Sequence, residues 1–150
     1  MNTLSGMSLL DELRTGRTTA SAAETQSIAR QLAARLPADI TLALHGNLGV
    51  GKTTFVQGLA HGFGIQEPVT SPTFNIYTVH RGAARTLLHL DAYRLENARQ
   101  AEDLLLEDFL VTPWCLAIEW PERIAAWIPL NAFHLELGID AHEHHTIRLR

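Results

Sequence analysis

Residues 46–53 read GNLGVGKT and match the pattern G-x-x-x-x-G-K-[ST] at every fixed position. The short apolar run ITLALH comes directly before them, and the run TTFVQGLAHGFG, which is typical of a helix, begins at the last residue of the pattern. A strand, a glycine-rich loop and a helix in this order point backbone amides inward at an anion, and the helix dipole adds positive potential. The pattern therefore predicts an α/β domain that binds phosphate groups at the end of a buried strand.

The loop contains Lys52, which is the only lysine of the chain, whereas the other basic residues are all arginine. An ammonium is a compact charge that can reach the β- and γ-phosphate oxygens, while a guanidinium is planar and longer. The Thr53 hydroxyl is a suitable ligand for Mg²⁺, and we interpret Thr54 as a residue of the helix start rather than a second ligand. The loop thus predicts a site for a nucleotide with its metal.

A metal at this loop needs an acidic partner, and two candidates stand at the ends of apolar runs. Asp91 ends the run LLHLD, and Glu119 ends LAIE. A parallel sheet presents such residues to the ligand crevice at its carboxyl edge; the alternative is that each is a capping or solvated carboxylate. The single lysine also excludes the Asn-Lys-x-Asp motif of guanine-selective proteins, so ATP is favoured over GTP.

The remaining elements complete an α/β fold. Ser21 and Glu24 have capping-box spacing at the start of a helix that Pro37 ends. Hairpins are predicted around residues 81–82 and 140–145, and a helix capped by Asn97 is predicted to present an apolar face of Ala101, Leu104, Leu105 and Phe109. We predict one domain over residues 1–150, P-loop NTPase-like and three-layered, with a mixed, partly antiparallel sheet and loosely ordered residues 1–20.

Composition limits the function classes. The net charge of −4 and the pI near 6.0 give no basic footprint, which disfavours unaided RNA binding. Cys115 is the only cysteine, so no intramolecular disulfide can form, and a reducing compartment fits. The sequence shows neither a signal peptide nor a run long enough to span a bilayer. We therefore expect a cytoplasmic protein that is monomeric alone.

Four motifs in one order carry a resemblance to a known family. They are GNLGVGKTTFVQGLA, SPTF (71–74), HLDAYRL (89–95) and IEWPER (118–123). Together they resemble the TsaE family, formerly YjeE, over about residues 21–125. The resemblance implies an ATPase that supports the TsaB–TsaD complex in placing threonylcarbamoyl on the adenosine beside the anticodon of tRNAs that read codons beginning with A. It implies slow hydrolysis by the protein alone, stimulation by the partners, and contact with tRNA only through the complex.

The resemblance also implies roles for individual residues. Thr53 and Glu119 would bind Mg²⁺, and Asp91, Glu119 and Lys52 would be catalytic, with either carboxylate positioning the attacking water. Ser71 and Thr73 would lie in a switch loop near the γ-phosphate. The adenine end maps loosely to residues 21–22 and 144–145. The predicted cofactor-binding residues, for ATP, are Gly46, Asn47, Leu48, Gly49, Val50, Gly51, Lys52, Thr53, Thr54 and Trp120.

Three alternatives remain at this stage. A small-molecule P-loop kinase could recruit Arg81, Arg85, Arg94 and Arg99 as a lid, although nothing in the sequence resembles a lid insertion. A binding module could use ATP only as a conformational switch. The histidine-rich tract AHEHH near the end could hold a metal, although a solvated loop is favoured because the tract lies on a predicted turn without a cysteine.

Overall fold

The computed structural model describes residues 8–47, 49–72 and 75–150. Within these residues it contains four α-helices and two short 3₁₀ helices around one seven-stranded sheet. The strands are β1 (Arg17–Thr19), β2 (Ile40–His45), β3 (Tyr77–Arg81), β4 (Thr86–Asp91), β5 (Trp114–Glu119), β6 (Phe133–Ile139) and β7 (His145–Leu149). The helices are α1 (Leu9–Thr15), α2 (Ala22–Ala33), α3 (Lys52–Gly62) and α4 (Ala98–Glu102), and the 3₁₀ helices are Leu106–Phe109 and Pro121–Trp127.

The sheet is mixed, as the sequence predicts. Its strand order is β1-β7-β6-β2-β5-β4-β3. The four central strands, β4, β5, β2 and β6, are parallel to one another, whereas β1, β7 and β3 pair antiparallel at the two sides. The carboxyl ends of β2, β4 and β5 therefore meet at one edge, which is where ligands bind in open α/β sheets.

Helices cover both faces of the sheet and make a three-layer domain, confirming the predicted fold class. The first face packs on α2 and α3, with Leu42, Phe55 and Leu59 among its buried residues. The second face packs on α4 and the 3₁₀ helices, where Leu90 and Ile124 are buried. Each core is built from alternate residues of the same strands, because successive strand side chains point to opposite faces.

The helices of the first layer approach each other closely. The Ser21 hydroxyl oxygen accepts a hydrogen bond from the Glu24 amide at 3.2 Å, which caps α2 as predicted. At the crossing with α3, a Cβ on Gly58 would lie 2.4 Å from the Gln26 carbonyl oxygen. Only glycine allows this approach, so the helix that follows the phosphate loop is fixed against α2.

The prediction of loose order for residues 1–20 is wrong for the segment from Leu9 to Thr19. It forms α1, capped by Ser8, and the edge strand β1, which pairs with β7. Leu9 and Leu13 are buried, since their spacing of four residues places them on one face of α1. Residues 1–7 lie outside the described residues.

The second corrected element is the helix predicted after Asn97. Asn97 does cap α4, but that helix ends at Glu102. Leu105 has a left-handed backbone conformation with φ of 53° and is 62% exposed, so its predicted place on the apolar face is wrong. Leu106, which begins the next 3₁₀ helix, is buried instead.

The hairpins predicted around residues 81–82 and 140–145 are present as β3–β4 and β6–β7. Among the described residues, no helix combines the length and apolar composition needed to cross a membrane.

Candidate nucleotide site

The loop after β2 depends on glycines in conformations that other residues rarely adopt. Gly46, Gly49 and Gly51 have φ angles of 150°, 85° and 95°. A Cβ on Gly46 would also lie 2.5 Å from the Leu137 carbonyl oxygen. The Phe55 amide donates to the Gly51 carbonyl at 2.9 Å, which starts α3 directly after the loop. The glycines thus shape the turn between strand and helix that the motif predicts.

Lys52 lies at the first position of α3, where it turns back over the loop. Its Nζ donates to the Gly46 carbonyl oxygen at 2.6 Å and lies 3.7 Å from the centroid of the Trp120 ring. Burial lowers the pKa of Lys52, while the nearby carboxylates of Glu119, Glu122 and Asp91 act in the opposite direction. The only ammonium side chain of the protein is therefore held inside the site by a carbonyl and an aromatic face.

Glu119 ends β5, and two side chains contact one oxygen of its carboxylate. Its Oε2 accepts a hydrogen bond from the Thr53 hydroxyl at 3.1 Å and lies 2.6 Å from His89 Nε2. Burial acts to raise the pKa of Glu119, but the His89 hydrogen bond and charge, together with Thr53 and Lys52, outweigh it and lower the pKa. The side chain is consequently an ionised carboxylate near neutral pH, although it is almost fully buried.

Asp91 is brought beside Glu119 by the register of the sheet. The two residues are direct partners across the parallel pair β4–β5, and each ends its strand. Asp91 is buried, and its Oδ1 accepts a hydrogen bond from the Tyr93 amide at 3.0 Å. Both acidic candidates therefore lie at the carboxyl edge, as their positions in the sequence predict.

A cavity of about 560 Å³ opens between the loop and these strand ends. Most of the predicted site residues meet in its wall. The lining residues are Gly49, Gly51, Lys52, Thr53, Thr54, Ser71, Asp91, Tyr93, Glu119 and Trp120. Three predicted loop residues, Gly46, Asn47 and Val50, are absent from this described lining, and Leu48 and Thr73 lie outside the described residues.

Trp120 and Tyr93 form an aromatic wall of the cavity. Trp120 has a left-handed conformation with φ of 58° at the start of the 3₁₀ helix Pro121–Trp127. The centroids of the Trp120 and Tyr93 rings lie 5.1 Å apart. The Arg123 guanidinium lies 5.3 Å from the centroid of the Tyr93 ring. Sequence reasoning proposed Trp120 but gave Tyr93 no role.

His89 is the second residue to which sequence reasoning gave no role. It is completely buried on β4, and its Nδ1 has no hydrogen-bond partner among the described residues. An ionised carboxylate can only accept a hydrogen bond, so His89 Nε2 is the donor of the contact with Glu119. The alternation H-x-D within HLDAYRL was the available signal, because it places His89 on the face that carries Asp91.

The chemistry of the donors fits a hard divalent cation. An ionised carboxylate and a hydroxyl, the Glu119 and Thr53 oxygens, lie 3.1 Å apart beside the loop, and oxygen ligands are those that Mg²⁺ prefers. In the part of the chain that the structure describes, no cluster of three or more His, Cys, Asp or Glu residues could hold a metal by itself. A bound phosphate would have to complete the coordination.

The histidine-rich tract near the end divides into two parts. The amides of His142 and His144 both donate to Asp140 Oδ1 at 2.9 Å, and this turn is exposed. The next residue, His145, lies against the loop, where its Nδ1 is 3.0 Å from the Val50 carbonyl oxygen. Of the two histidines mapped to the adenine end, only His145 therefore has a described contact with the loop.

Comparison with known proteins gives a consistent result. The family model described as "Threonylcarbamoyl adenosine biosynthesis protein TsaE" matches residues 19–148. The tRNA threonylcarbamoyladenosine biosynthesis protein TsaE of Treponema pallidum is 40% identical over 100 residues, covering 67% of this chain and 73% of the relative. The protein of the same name from Bacillus subtilis is 39% identical over 106 residues, covering 71% of this chain and 66% of the relative.

A solved structure matches the fold as well. The crystal structure of YdiB from Bacillus subtilis superposes with a TM-score of 0.73 at 30% sequence identity and covers 88% of this chain and 81% of that chain. The family match spans the phosphate loop, both acidic strand ends and the closing hairpin. The chain therefore belongs to the TsaE family of threonylcarbamoyl adenosine biosynthesis proteins.

Proposed function

We propose that this protein binds ATP with Mg²⁺ and hydrolyses it slowly, as an accessory protein of a TsaB–TsaD complex that forms threonylcarbamoyladenosine in tRNA. The observation that carries the proposal is the convergence of Lys52, Thr53, Asp91 and Glu119 on one cavity at the carboxyl edge of the sheet. Phosphoryl transfer to water uses a cationic side chain at the phosphates, oxygen ligands for the metal and a group that positions the water. Lys52, the pair Thr53 and Glu119, and Asp91 match these three parts in turn.

Binding would begin at the phosphates. The loop amides and the start of α3 attract the negative charge, and Lys52 exchanges its contact with the Gly46 carbonyl oxygen for a phosphate oxygen. Lys52 would thereby leave the face of Trp120, now 3.7 Å from the ammonium, and free that ring to pack against the nucleotide. Trp120 fluorescence should consequently respond to binding.

Thr53 and Glu119 are the residues that would hold Mg²⁺. The Thr53 hydroxyl can offer its oxygen to the cation while its hydrogen still donates to Glu119, at the 3.1 Å distance of the structure. When bound, the metal neutralises charge that develops on the phosphate oxygens. The ionised Glu119 matches this role, because its lowered pKa keeps it charged without the metal.

Asp91 is proposed to orient the attacking water. Its carboxylate lines the same cavity as Lys52, and it is the strand partner of Glu119. One of its oxygens holds the Tyr93 amide, so the orientation of the side chain is fixed. A positioned carboxylate can accept the proton of the water as its oxygen bonds to the γ-phosphorus and the bond from that phosphorus to the bridging oxygen of the departing ADP breaks.

The kinase alternative receives no support from the cavity. No arginine is found in the described lining, and the guanidinium of one lid candidate, Arg85, bonds the carbonyl oxygens of Leu36 and Pro37. A kinase needs an acceptor pocket and cationic groups that close over the phosphates. A site built around water rather than an acceptor molecule is more consistent with this wall.

The test compares phosphate release from ATP by the protein alone, with TsaB and TsaD, and with both partners and tRNA. We expect slow release alone, a marked rise with the partners, and little activity with GTP. The kinase reading is checked in parallel by looking for a phosphorylated small molecule. Partners that neither bind the protein nor alter its turnover would contradict the proposed role, and absent ATP binding would contradict its biochemical basis.

A further inference from the structure

His89 lies beneath the candidate metal position without reaching the cavity. It stands two residues before Asp91 on β4, on the same face of the sheet, and is completely buried. Its Nε2 lies 2.6 Å from Glu119 Oε2. The contact joins neighbouring strands and is available only because the side chains of β4 and β5 share the face that packs on α3.

The two oxygens of Glu119 are treated differently. Oε2 receives both hydrogen bonds, one from His89 and one from the Thr53 hydroxyl. Among the described residues, no hydrogen bond is donated to Oε1, although Glu119 lines the cavity. Two donors converging on one oxygen fix the rotation of the carboxylate and leave the other oxygen available to a cation.

We propose that His89 is a positioning residue that holds Glu119 through Oε2, so that Oε1 is presented to Mg²⁺. The inference rests on the proposed function, since it deepens the account of the same site. Hydrogen-bond donors behind a metal ligand orient it before the metal arrives and thereby reduce the loss of rotational freedom on binding. His89 acts on the metal through Glu119 and touches neither the cation nor the nucleotide.

A purely structural role explains this imidazole poorly. A buried histidine that serves packing and core hydrogen bonding would use both ring nitrogens, yet Nδ1 of His89 has no partner within the described residues. An aliphatic side chain would fill the same volume without burying that nitrogen. What an imidazole adds at this position is the single donor aimed at Glu119.

Three variants separate the donor from the packing. His89→Leu keeps similar volume and removes the donor. His89→Gln places an amide nitrogen where Nε2 lies, whereas the shorter His89→Asn places it nearer to Nδ1, out of reach of Glu119. Leu87→Ala is the matched control, because Leu87 is buried on the same strand and face, and its aliphatic side chain has no hydrogen-bond donor to offer Glu119.

ATP binding to the full chain is measured by calorimetry, first in EDTA and then over a Mg²⁺ titration. We expect His89→Leu and His89→Asn to need about 10- to 100-fold more Mg²⁺ for half-maximal enhancement of ATP affinity, with unchanged affinity in EDTA. His89→Gln should recover most of the wild-type Mg²⁺ dependence. Leu87→Ala should lower the melting temperature and keep the wild-type Mg²⁺ dependence.

The outcomes separate the two proposals. Wild-type Mg²⁺ dependence in His89→Leu or His89→Asn, or equal impairment of His89→Gln and His89→Asn, would overturn the positioning role. If His89→Leu is unfolded by circular dichroism, the comparison of His89→Gln with His89→Asn decides the question. Failure of the wild-type protein to bind ATP in either condition would overturn the proposed function instead.

Discussion

Histidines on the neighbouring strands β3 and β4 each pair with a glutamate, and the two pairs differ in their surroundings. His80 Nδ1 lies 2.8 Å from Glu67, and His89 Nε2 lies 2.6 Å from Glu119. The Glu67 side chain is 55% exposed, whereas that of Glu119 is 7% exposed. The second nitrogen of His80 lies 3.1 Å from the Thr78 hydroxyl, while that of His89 has no partner among the described residues.

The same pair of residue types therefore serves two purposes. The Glu67 side chain is solvated, and a solvated contact of this kind contributes about 0–1 kcal/mol to stability. Glu119 is kept charged inside the protein by His89, Thr53 and Lys52 at the carboxyl edge of the sheet. The two pairs have the same residue types and differ in their position relative to that edge. Glu67 only links a loop to a strand, whereas Glu119 is a candidate metal ligand.

The largest expected effect comes from Asp91, the strand partner of Glu119. We expect Asp91→Ala to lower ATP turnover by about 10²- to 10⁴-fold, because the water loses its positioned acceptor, while ATP binding stays near the wild-type value. Single-turnover hydrolysis and calorimetric binding measure the two quantities separately. Loss of binding together with turnover would show that Asp91 holds the structure or contacts the ligand directly.

The next prediction compares the two glutamates directly. Glu119→Ala should lower turnover by about 10²-fold and abolish the enhancement of ATP affinity by Mg²⁺, since the cation loses a charged ligand. Glu67→Ala is the matched control and should leave both quantities unchanged. An unaltered Mg²⁺ titration in Glu119→Ala would remove Glu119 from the metal site.

Much of this comparison could be predicted from sequence, because its signals are local. The phosphate loop, the strand before it, the helix after it and both acidic strand ends follow from contiguous patterns. Asp91 and Glu119 stand at the ends of apolar runs, and the structure makes them partners across β4–β5. The apolar run before each acid places that acid at the carboxyl end of a strand. Because parallel strands have their carboxyl ends at the same edge of the sheet, the two acids are then expected to lie close together.

The remaining features depend on contacts between distant segments. The His89–Glu119 bond joins residues 30 positions apart and needs the register of two strands. The edge strand β1 was missed because its pairing partner β7 is close to the other end of the sequence. The helix predicted through Leu105 is interrupted at that residue, and Leu106 takes the buried position instead. Helix propensity does not distinguish these two neighbouring leucines, because the choice between them depends on packing against other segments.

Lys52 gives an effect of intermediate size. We expect Lys52→Ala to weaken ATP binding by about 10- to 100-fold, because a charge-assisted hydrogen bond to phosphate is lost. In the wild type, the Lys52 ammonium lies 3.7 Å from the centroid of the Trp120 ring. The variant has no ammonium to leave this ring, so the change in Trp120 fluorescence on ATP addition should also be smaller. Wild-type affinity in Lys52→Ala would refute the role assigned to the loop lysine.

The smallest effect is the pH dependence of stability. The pKa of Glu119 in the folded protein is lowered from 4.5 by His89, Thr53 and Lys52, which outweigh the opposing effect of burial. Ionisation of Glu119 therefore stabilises the folded state above pH 4.5, and this contribution is lost as the pH falls through the lower folded pKa. In Glu119→Gln, the stability difference from the wild type should narrow over that range.

Urea unfolding at a series of pH values measures this difference. Glu67→Gln is the control. We expect it to lower the free energy of unfolding by about 1 kcal/mol or less at neutral pH, because the Glu67 side chain that contacts His80 is half exposed. If the difference in unfolding free energy between the wild type and Glu119→Gln stays constant below pH 4.5, ionisation of Glu119 does not stabilise the folded protein. The two His–Glu pairs would then differ in location alone, and the preorganised charge assigned to the cavity would have to come from another group.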